Sequence, residues 1–244
     1  MKVKLLAHTK LSDSFLESLN EDLQLDIVEG NITDGQAIAL SAIRTCYSHN
    51  EPSNIIESEG GKYFGKVAND GEGGTEADRL IRHIMRSGHL STTEHINFTF
   101  TIEGVSRSLL AQLTRHRHFS YSVQSQRYVK FGSNDKAEGY DYVVPETIKN
   151  DGLALNEYER IMKDLQRSYD DLRKLKIPAE DARYVLPNAA TCNLVFTGNL
   201  RSILEFCSKR GNGTHASAEI QELAELIKEE VVKVEPWTES FFKN

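Results

Sequence analysis

Cysteine is scarce: Cys46, Cys192 and Cys207 are the whole complement of the 244 residues. They are odd in number and far apart, which excludes a disulfide framework, and no Cys-x-x-Cys or Cys/His spacing suggests a metal site. Long apolar runs are also missing. No stretch reaches membrane-spanning length and the first residues lack a secretory pattern, so a cytoplasmic location is expected. A basic excess is absent too, the net charge being −7. Sequence-independent nucleic-acid binding relies on a basic face, which this balance does not favour. No internal repeat, low-complexity tract or domain boundary stands out. The expectation is one domain over residues 1–244, with a flexible surface insertion at about 48–74.

What is present is concentrated in one stretch, Arg115-His116-Arg117-His118-Phe119-Ser120-Tyr121-Ser122-Val123-Gln124-Ser125-Gln126-Arg127-Tyr128. Phe119, Tyr121 and Val123 alternate with polar residues. That period of two predicts a segment leaving a helix and running extended, with its apolar side chains on one face. Guanidinium forks and serine hydroxyls on the other face suit phosphate, and a planar imidazole suits an aromatic heterocycle. In an acidic chain such a local basic cluster points to a small anionic ligand, a nucleotide first of all.

The remaining chain reads as alternating helices and strands. Val3 and Leu5 mark an opening strand, and Ser12 caps a small helix with Phe15, Leu16 and Leu19. Leu23, Leu25 and Ile27 suggest a second strand. Thr33-x-x-Gln36 is a capping box opening a helix to about Arg44, and Thr75-x-x-Asp78 is a looser one before Leu80, Ile81, Ile84 and Met85. Residues 48–74 show no periodicity. Gly71-x-Gly73-Gly74 completes neither dinucleotide nor Walker patterns. Gly88 sits where a C-terminal cap belongs, and the polar His89–His95 feeds the alternating Ile96, Phe98, Phe100 and Ile102. Gly104 is expected to end that strand, before a helix carrying Leu109, Leu110 and Leu113. Further strands are expected at Arg127–Phe131, Tyr142–Val144 and Leu194–Phe196. A long amphipathic helix is expected at 156–175, another is capped by Asn199 and ended by Gly211, and a last runs over about 215–234.

The Arg-His-Arg triplet, followed after seven residues by Ser125-Gln126-Arg127-Tyr128, resembles the signature of the flavin-dependent thymidylate synthases. Other segments are similar to that family in the same order. They are Gly88-His89 with Glu94-His95, Ala182-Arg183-x-x-Leu186-Pro187, Asn199-x-Arg201-Ser202, Arg210 with His215, and Pro236-Trp237.

The resemblance implies an α/β (α+β) fold, with a mixed, largely antiparallel sheet and packed helices. It implies reductive methylation of dUMP to dTMP, in which 5,10-methylenetetrahydrofolate gives the carbon and FAD, reduced by NADPH, carries the hydride. It also implies a homotetramer with shared active sites. By the same resemblance, Ser91, Arg115, His116, Arg117, His118, Val123, Asn199, Arg201 and Glu205 would bind FAD. Gln112, Arg115, Val123, Ser125, Gln126, Arg127, Arg183 and Arg210 would bind dUMP, with Val123 and Gln126 acting through their main chain. His89 would face the folate and flavin rings and Glu94 the reacting centre, with Arg115 and Ser125 beside them as catalytic positions. Val123, Glu205 and Cys46 stand where some members carry glutamate, asparagine and serine.

Two rivals come from the same stretch. A single-stranded nucleic-acid-binding module could use the Arg/His/Tyr residues of 115–131, with Arg127–Phe131 as a stacking strand. A metal hydrolase could use His116 and His118, but no third ligand has suitable spacing and the flanking arginines repel a cation. No cysteine lies where it would be activated to attack uracil. Ser125 reads as a phosphate and substrate ligand, because no neighbouring base would activate it.

Overall fold

The computed structural model describes residues 1–242, so the last two positions of the expected 1–244 domain lie outside it. Strand β1 (Lys2–His8) is followed by helices α1 (Asp13–Leu16), α2 (Glu21–Val28), α3 (Asp34–Tyr47), α4 (Ile55–Tyr63) and α5 (Glu76–Arg86). Then come β2 (Asn97–Ser106), α6 (Arg107–Leu113), β3 (Ser120–Val123), α7 (Glu146–Lys149), α8 (Gly152–Lys174) and α9 (Ala179–Ala182). Strand β4 (Thr191–Asn199) and helices α10 (Leu200–Arg210) and α11 (Ala218–Val234) complete the order. The strands form one antiparallel four-stranded sheet in the order β1-β2-β4-β3, in keeping with the expected α/β class. Among the described residues no helix is long and apolar enough to cross a membrane.

The chain divides into two compact units. The first holds Met1–Lys4, Thr101–Phe196 and His215–Leu223; the second holds Leu5–Phe100, Thr197–Thr214 and the described residues from Ala224 on.

In the second unit both predicted capping boxes form. Thr33 accepts from Gln36 N–H at the start of α3, and Thr75 from Asp78 N–H at the start of α5. The two boxes also meet, Gln36 donating to Asp78 at 2.6 Å. Below them Leu23, Ile27, Leu40, Ile56 and Tyr63 build an apolar core. The buried Glu235 carboxylate closes the N-terminus of α3. It accepts from the Thr33 hydroxyl, from Gly35 N–H at 3.0 Å and from the Trp237 indole at 2.5 Å. A methyl group built on Gly35 would lie 2.5 Å from that carboxylate, so the close approach requires glycine.

Three sequence expectations are corrected, the first two in this unit and the third in the other. Leu23, Leu25 and Ile27 belong to helix α2, not a strand: Asn20 caps it, Leu23 and Ile27 are buried one turn apart, and Leu25 is exposed. Residues 55–63 of the aperiodic stretch are helix α4, whose Ile55 and Ile56 are buried in the core. Arg44 pins this helix by donating to Glu59 at 2.6 Å. Lastly, β2 continues past Gly104, which takes a φ of +71° that a glycine tolerates, and ends at Ser106.

In the first unit, β2 leads directly into α6. Ser106 caps that helix by accepting from Leu109 N–H at 2.9 Å, and Glu219 holds Ser106 through both its N–H and its hydroxyl. A small core of Phe131, Tyr169 and Ala182 fixes α8 and α9. Tyr142–Val144 supplies only a single bridge, Tyr142 to Ala190, in place of the expected strand.

Candidate active site

In the first unit the predicted stretch is a turn held from beneath. After α6 the chain turns through His116, whose N–H donates to Leu113 carbonyl at 3.0 Å. The Tyr121 hydroxyl spans the turn, donating to the carbonyls of Leu113 at 2.7 Å and His116 at 2.9 Å. Burial pushes its phenol well above the ordinary tyrosine range, so it stays a donor. Phe119 is buried edge-on against Phe196, ring centres 4.5 Å apart. The predicted alternation is therefore real: Phe119, Tyr121 and Val123 point inward, Ser120 and Ser122 outward.

Anchored this way, the turn presents Arg115, Arg117 and His118 to solvent. Among the described residues neither Arg115 nor Arg117 forms an ion pair, although the chain carries net charge −7. Gln112, on the last turn of α6, is tied to Ser217 at 3.2 Å.

Ser125 opens a second turn. Its carbonyl accepts from Val129 N–H at 3.0 Å and its hydroxyl from Arg127 N–H at 3.2 Å. The side chain of Gln126 is buried, so towards a ligand this residue offers its main chain. No strand forms over 127–131, which removes the stacking platform on which the nucleic-acid alternative rested. Arg127 and Arg183 are brought together on Glu180. Arg127 Nε donates to its carboxylate at 2.8 Å, and Arg183 Nε to its carbonyl at 3.0 Å. Glu180 was invisible to sequence reasoning, because it lies 53 residues from Arg127 with no local pattern linking them.

The second unit contains the other predicted residues. Gly88, with φ +83°, ends α5 and delivers His89, whose Nδ1 meets the Tyr47 hydroxyl at 3.0 Å. Ser91 follows in a short 3-10 turn, and Glu94 pairs with Arg201 at 2.5 Å. Asn199 caps α10 by accepting from Ser202 N–H at 2.9 Å, which leaves its amide N–H2 to donate elsewhere. One turn beyond Arg201, Glu205 pairs with Lys209. Arg210, expected beside Arg127 and Arg183, belongs to this unit and they to the first.

Two cavities of the second unit use these residues. One, of about 340 Å³, is lined by Cys46, Tyr47, His89, Ser91 and Arg201. The other, of about 740 Å³, has Met85, Leu90, Leu204 and Phe241 as apolar walls with Arg86 and Arg201 as cations. Apolar walls suit a flat ring system and guanidinium groups suit phosphate, so the pair of cavities fits parts of a phosphorylated aromatic cofactor such as FAD. Glu205 faces the larger cavity but is not a bare charge there, since Lys209 is its counter-ion. Cys46 lies on the wall of the smaller one.

A family described as "Thymidylate synthase complementing protein" matches residues 28–237. A flavin-dependent thymidylate synthase of Clostridium tetani is 35% identical over 217 residues, covering 82% of this chain and 79% of that one. Another, of Nitratidesulfovibrio vulgaris, is 43% identical over 139 residues, 54% of each chain. A UMP/dUMP methylase, PolB, from Streptomyces cacaoi, solved with 5-Br dUMP, superposes with a TM-score of 0.71 over 99% of this chain and 94% of that one. At 20% identity that likeness shows a shared fold. The signature turn, the fold and the match over most of the chain lead to one conclusion: this chain belongs to the family of flavin-dependent thymidylate synthases.

Proposed function

We propose that the protein methylates dUMP reductively to dTMP, with 5,10-methylenetetrahydrofolate as carbon donor, FAD as hydride carrier and NADPH as reductant. The observation that carries the proposal is the turn of Arg115 and Arg117, exposed and without an ion pair among the described residues of an acidic chain. Such uncompensated cations favour an anion, and the rigid backing of Tyr121 and Phe119 keeps them preorganised for it.

The division of labour follows from the side chains. Ser125 and the main chain of Val123 and Gln126 offer donors to the dUMP phosphate, with Gln112, Arg127, Arg183 and Arg210 as further dUMP ligands. Arg127 exchanges Glu180 for this ligand, an exposed pairing that costs little to break. Arg115 stabilises negative charge as it develops on the uracil ring. Ser91, Asn199, Arg201 and Glu205, with His116, Arg117 and His118, bind FAD, which supplies the hydride when bound. His89, steadied by Tyr47, would face the flavin and folate rings, and Glu94 would hold Arg201 beside the reacting centre. Residues 1–244 work as one catalytic domain, in a cytoplasmic homotetramer whose active sites draw on more than one subunit.

Release of tritium from 5-tritiated dUMP tests the reaction directly. With FAD, NADPH and methylenetetrahydrofolate present, purified protein should release tritium, and omission of flavin should stop it. No release under any condition, from folded protein that retains no flavin, would overturn the proposal.

A further inference from the structure

The larger cavity of the second unit holds an ion pair that the proposed function does not use. Arg86 on α5 extends a terminal nitrogen to both oxygens of Glu72, at 2.6 and 2.7 Å, and both residues line the cavity. Glu72 sits at the tip of the 66–76 loop, whose base is fastened. Val67 bridges Thr75, Ala68 N–H donates to Gly74 carbonyl at 2.9 Å, and Glu76 N–H to Lys66 carbonyl at 2.9 Å. Below the tip, Arg82 grips Asp70 through two hydrogen bonds of 2.8 and 2.9 Å and reaches the Gly73 carbonyl at 3.0 Å.

Two of the arginines of α5, Arg82 and Arg86, differ in burial. The Arg82 side chain is 8% exposed against 20% for Asp70, whereas Arg86 is 62% and Glu72 41% exposed. A nearly buried pair is a fixed anchor, while a solvated one contributes little and exchanges its partner readily. Gly71 and Gly73 flank Glu72, both with φ +78°, a conformation that leaves the tip without side-chain obstruction. Around the same cavity Arg201 and Glu205 are also neutralised from within the chain, by Glu94 and Lys209.

We propose that Glu72 is an internal counter-ion which occupies Arg86 until a phosphate of an adenine dinucleotide displaces it. The loop tip thereby sets the affinity of this cavity for that ligand. The pyrophosphate of such a ligand brings two charges and four non-bridging oxygens against one charge and two oxygens for the carboxylate, and Arg86 binds one of its phosphates in the geometry it now gives Glu72. This inference rests on the reading of the Arg201–Glu205 wall as a flavin face. FAD and NADPH carry the same recognised chemistry, so the test separates them.

Protein stripped of flavin is titrated with FAD, followed by flavin fluorescence, and FAD-loaded protein with NADPH, followed by calorimetry. Both are done for wild type, Glu72→Gln, Arg86→Ala, the double variant and Arg201→Ala, with melting curves as the control for folding. Glu72→Gln should tighten one dinucleotide by about two- to fivefold, the worth of an exposed pair. Arg86→Ala should weaken the same ligand by roughly tenfold, and the double variant should behave as Arg86→Ala alone. These shifts in the FAD titration assign the phosphate to flavin; in the NADPH titration alone, to the nicotinamide nucleotide. If Arg201→Ala weakens FAD while Glu72→Gln and Arg86→Ala move neither ligand, the counter-ion proposal is overturned and the flavin reading stands. If Arg201→Ala leaves FAD binding unchanged, both fall together.

Discussion

The arginines of the signature turn are deployed in the opposite way to those of the second unit. At the turn, Arg115 and Arg117 stand exposed, without a carboxylate partner among the described residues. In the second unit, Arg44, Arg82, Arg86 and Arg201 are each paired with an acid of their own chain. A cation left unpaired at the end of a braced turn is ready for an anionic substrate at no cost in broken contacts. A paired one either fastens the fold, when buried, or must release its partner to bind, when exposed. Burial decides between the last two: the Arg44–Glu59 side chains are 19% and 11% exposed, those of Arg201–Glu94 45% and 42%.

The largest effect should come from the unpaired side. Arg115→Ala should lower turnover in the tritium-release assay by about 100-fold or more, the usual loss when a transition-state donor is removed, with an unchanged melting curve. Loss of folding along with activity would break the distinction, because Arg115 would then be structural.

Next is the buried pair. Arg44→Ala strands Glu59 beneath Ser48 and Asn50 and should cost about 3 kcal/mol of stability in denaturant unfolding. A cost within 0.5 kcal/mol or so, the range of ordinary surface changes, would mean that α4 is held by its isoleucines alone.

A smaller effect attaches to the exposed pair. Arg201→Ala should weaken FAD by roughly tenfold while leaving the melting temperature nearly unchanged, as expected of a solvated ion pair. A large drop in melting temperature would place Arg201 with the fasteners.

The finest test uses pH. Burial pushes the Glu235 carboxyl up, against hydrogen bonds from Thr33, Trp237 and Gly35 N–H. Burial also acts on Glu59, but donors from Ser48, Arg44 and Asn50 outweigh it and hold that carboxyl down. The signs are opposite. A raised carboxyl lends stability that is full below its unfolded value and lost as pH rises through the folded one. A lowered carboxyl lends stability present above its unfolded value and lost as pH falls through the folded one. In melts across the acid-to-neutral range, Glu235→Gln should therefore gain on wild type as pH rises, and the deficit of Glu59→Gln should shrink as pH falls. Parallel slopes for the two variants would contradict the assignment.

What was legible in the sequence was local. Thr33-x-x-Gln36, Thr75-x-x-Asp78 and Asn199 cap helices because their partners lie three residues away, and the alternation of Phe119, Tyr121 and Val123 survives because one face is buried. Helix α2 is not legible there because three apolar residues at spacing two fit a strand as well as a helix, and the deciding cap, Asn20, lies outside them. Helix α4 left no trace, since adjacent Ile55 and Ile56 define no period and its anchor, Arg44, is 15 residues from Glu59. The same limit applied at the site. The Arg-His-Arg turn was visible, but Glu180 under Arg127, Tyr47 beside His89 and Glu72 on Arg86 are tertiary partners that spacing does not encode.

The contrast between the signature turn and the second unit is tested most directly by dUMP titration at saturating FAD, comparing Arg115→Ala with Arg201→Ala. The account predicts that Arg115→Ala weakens dUMP by tenfold or more, about 1.4 kcal/mol, while Arg201→Ala changes it little. Wild-type dUMP affinity in Arg115→Ala would show that the unpaired turn is not where the substrate is held.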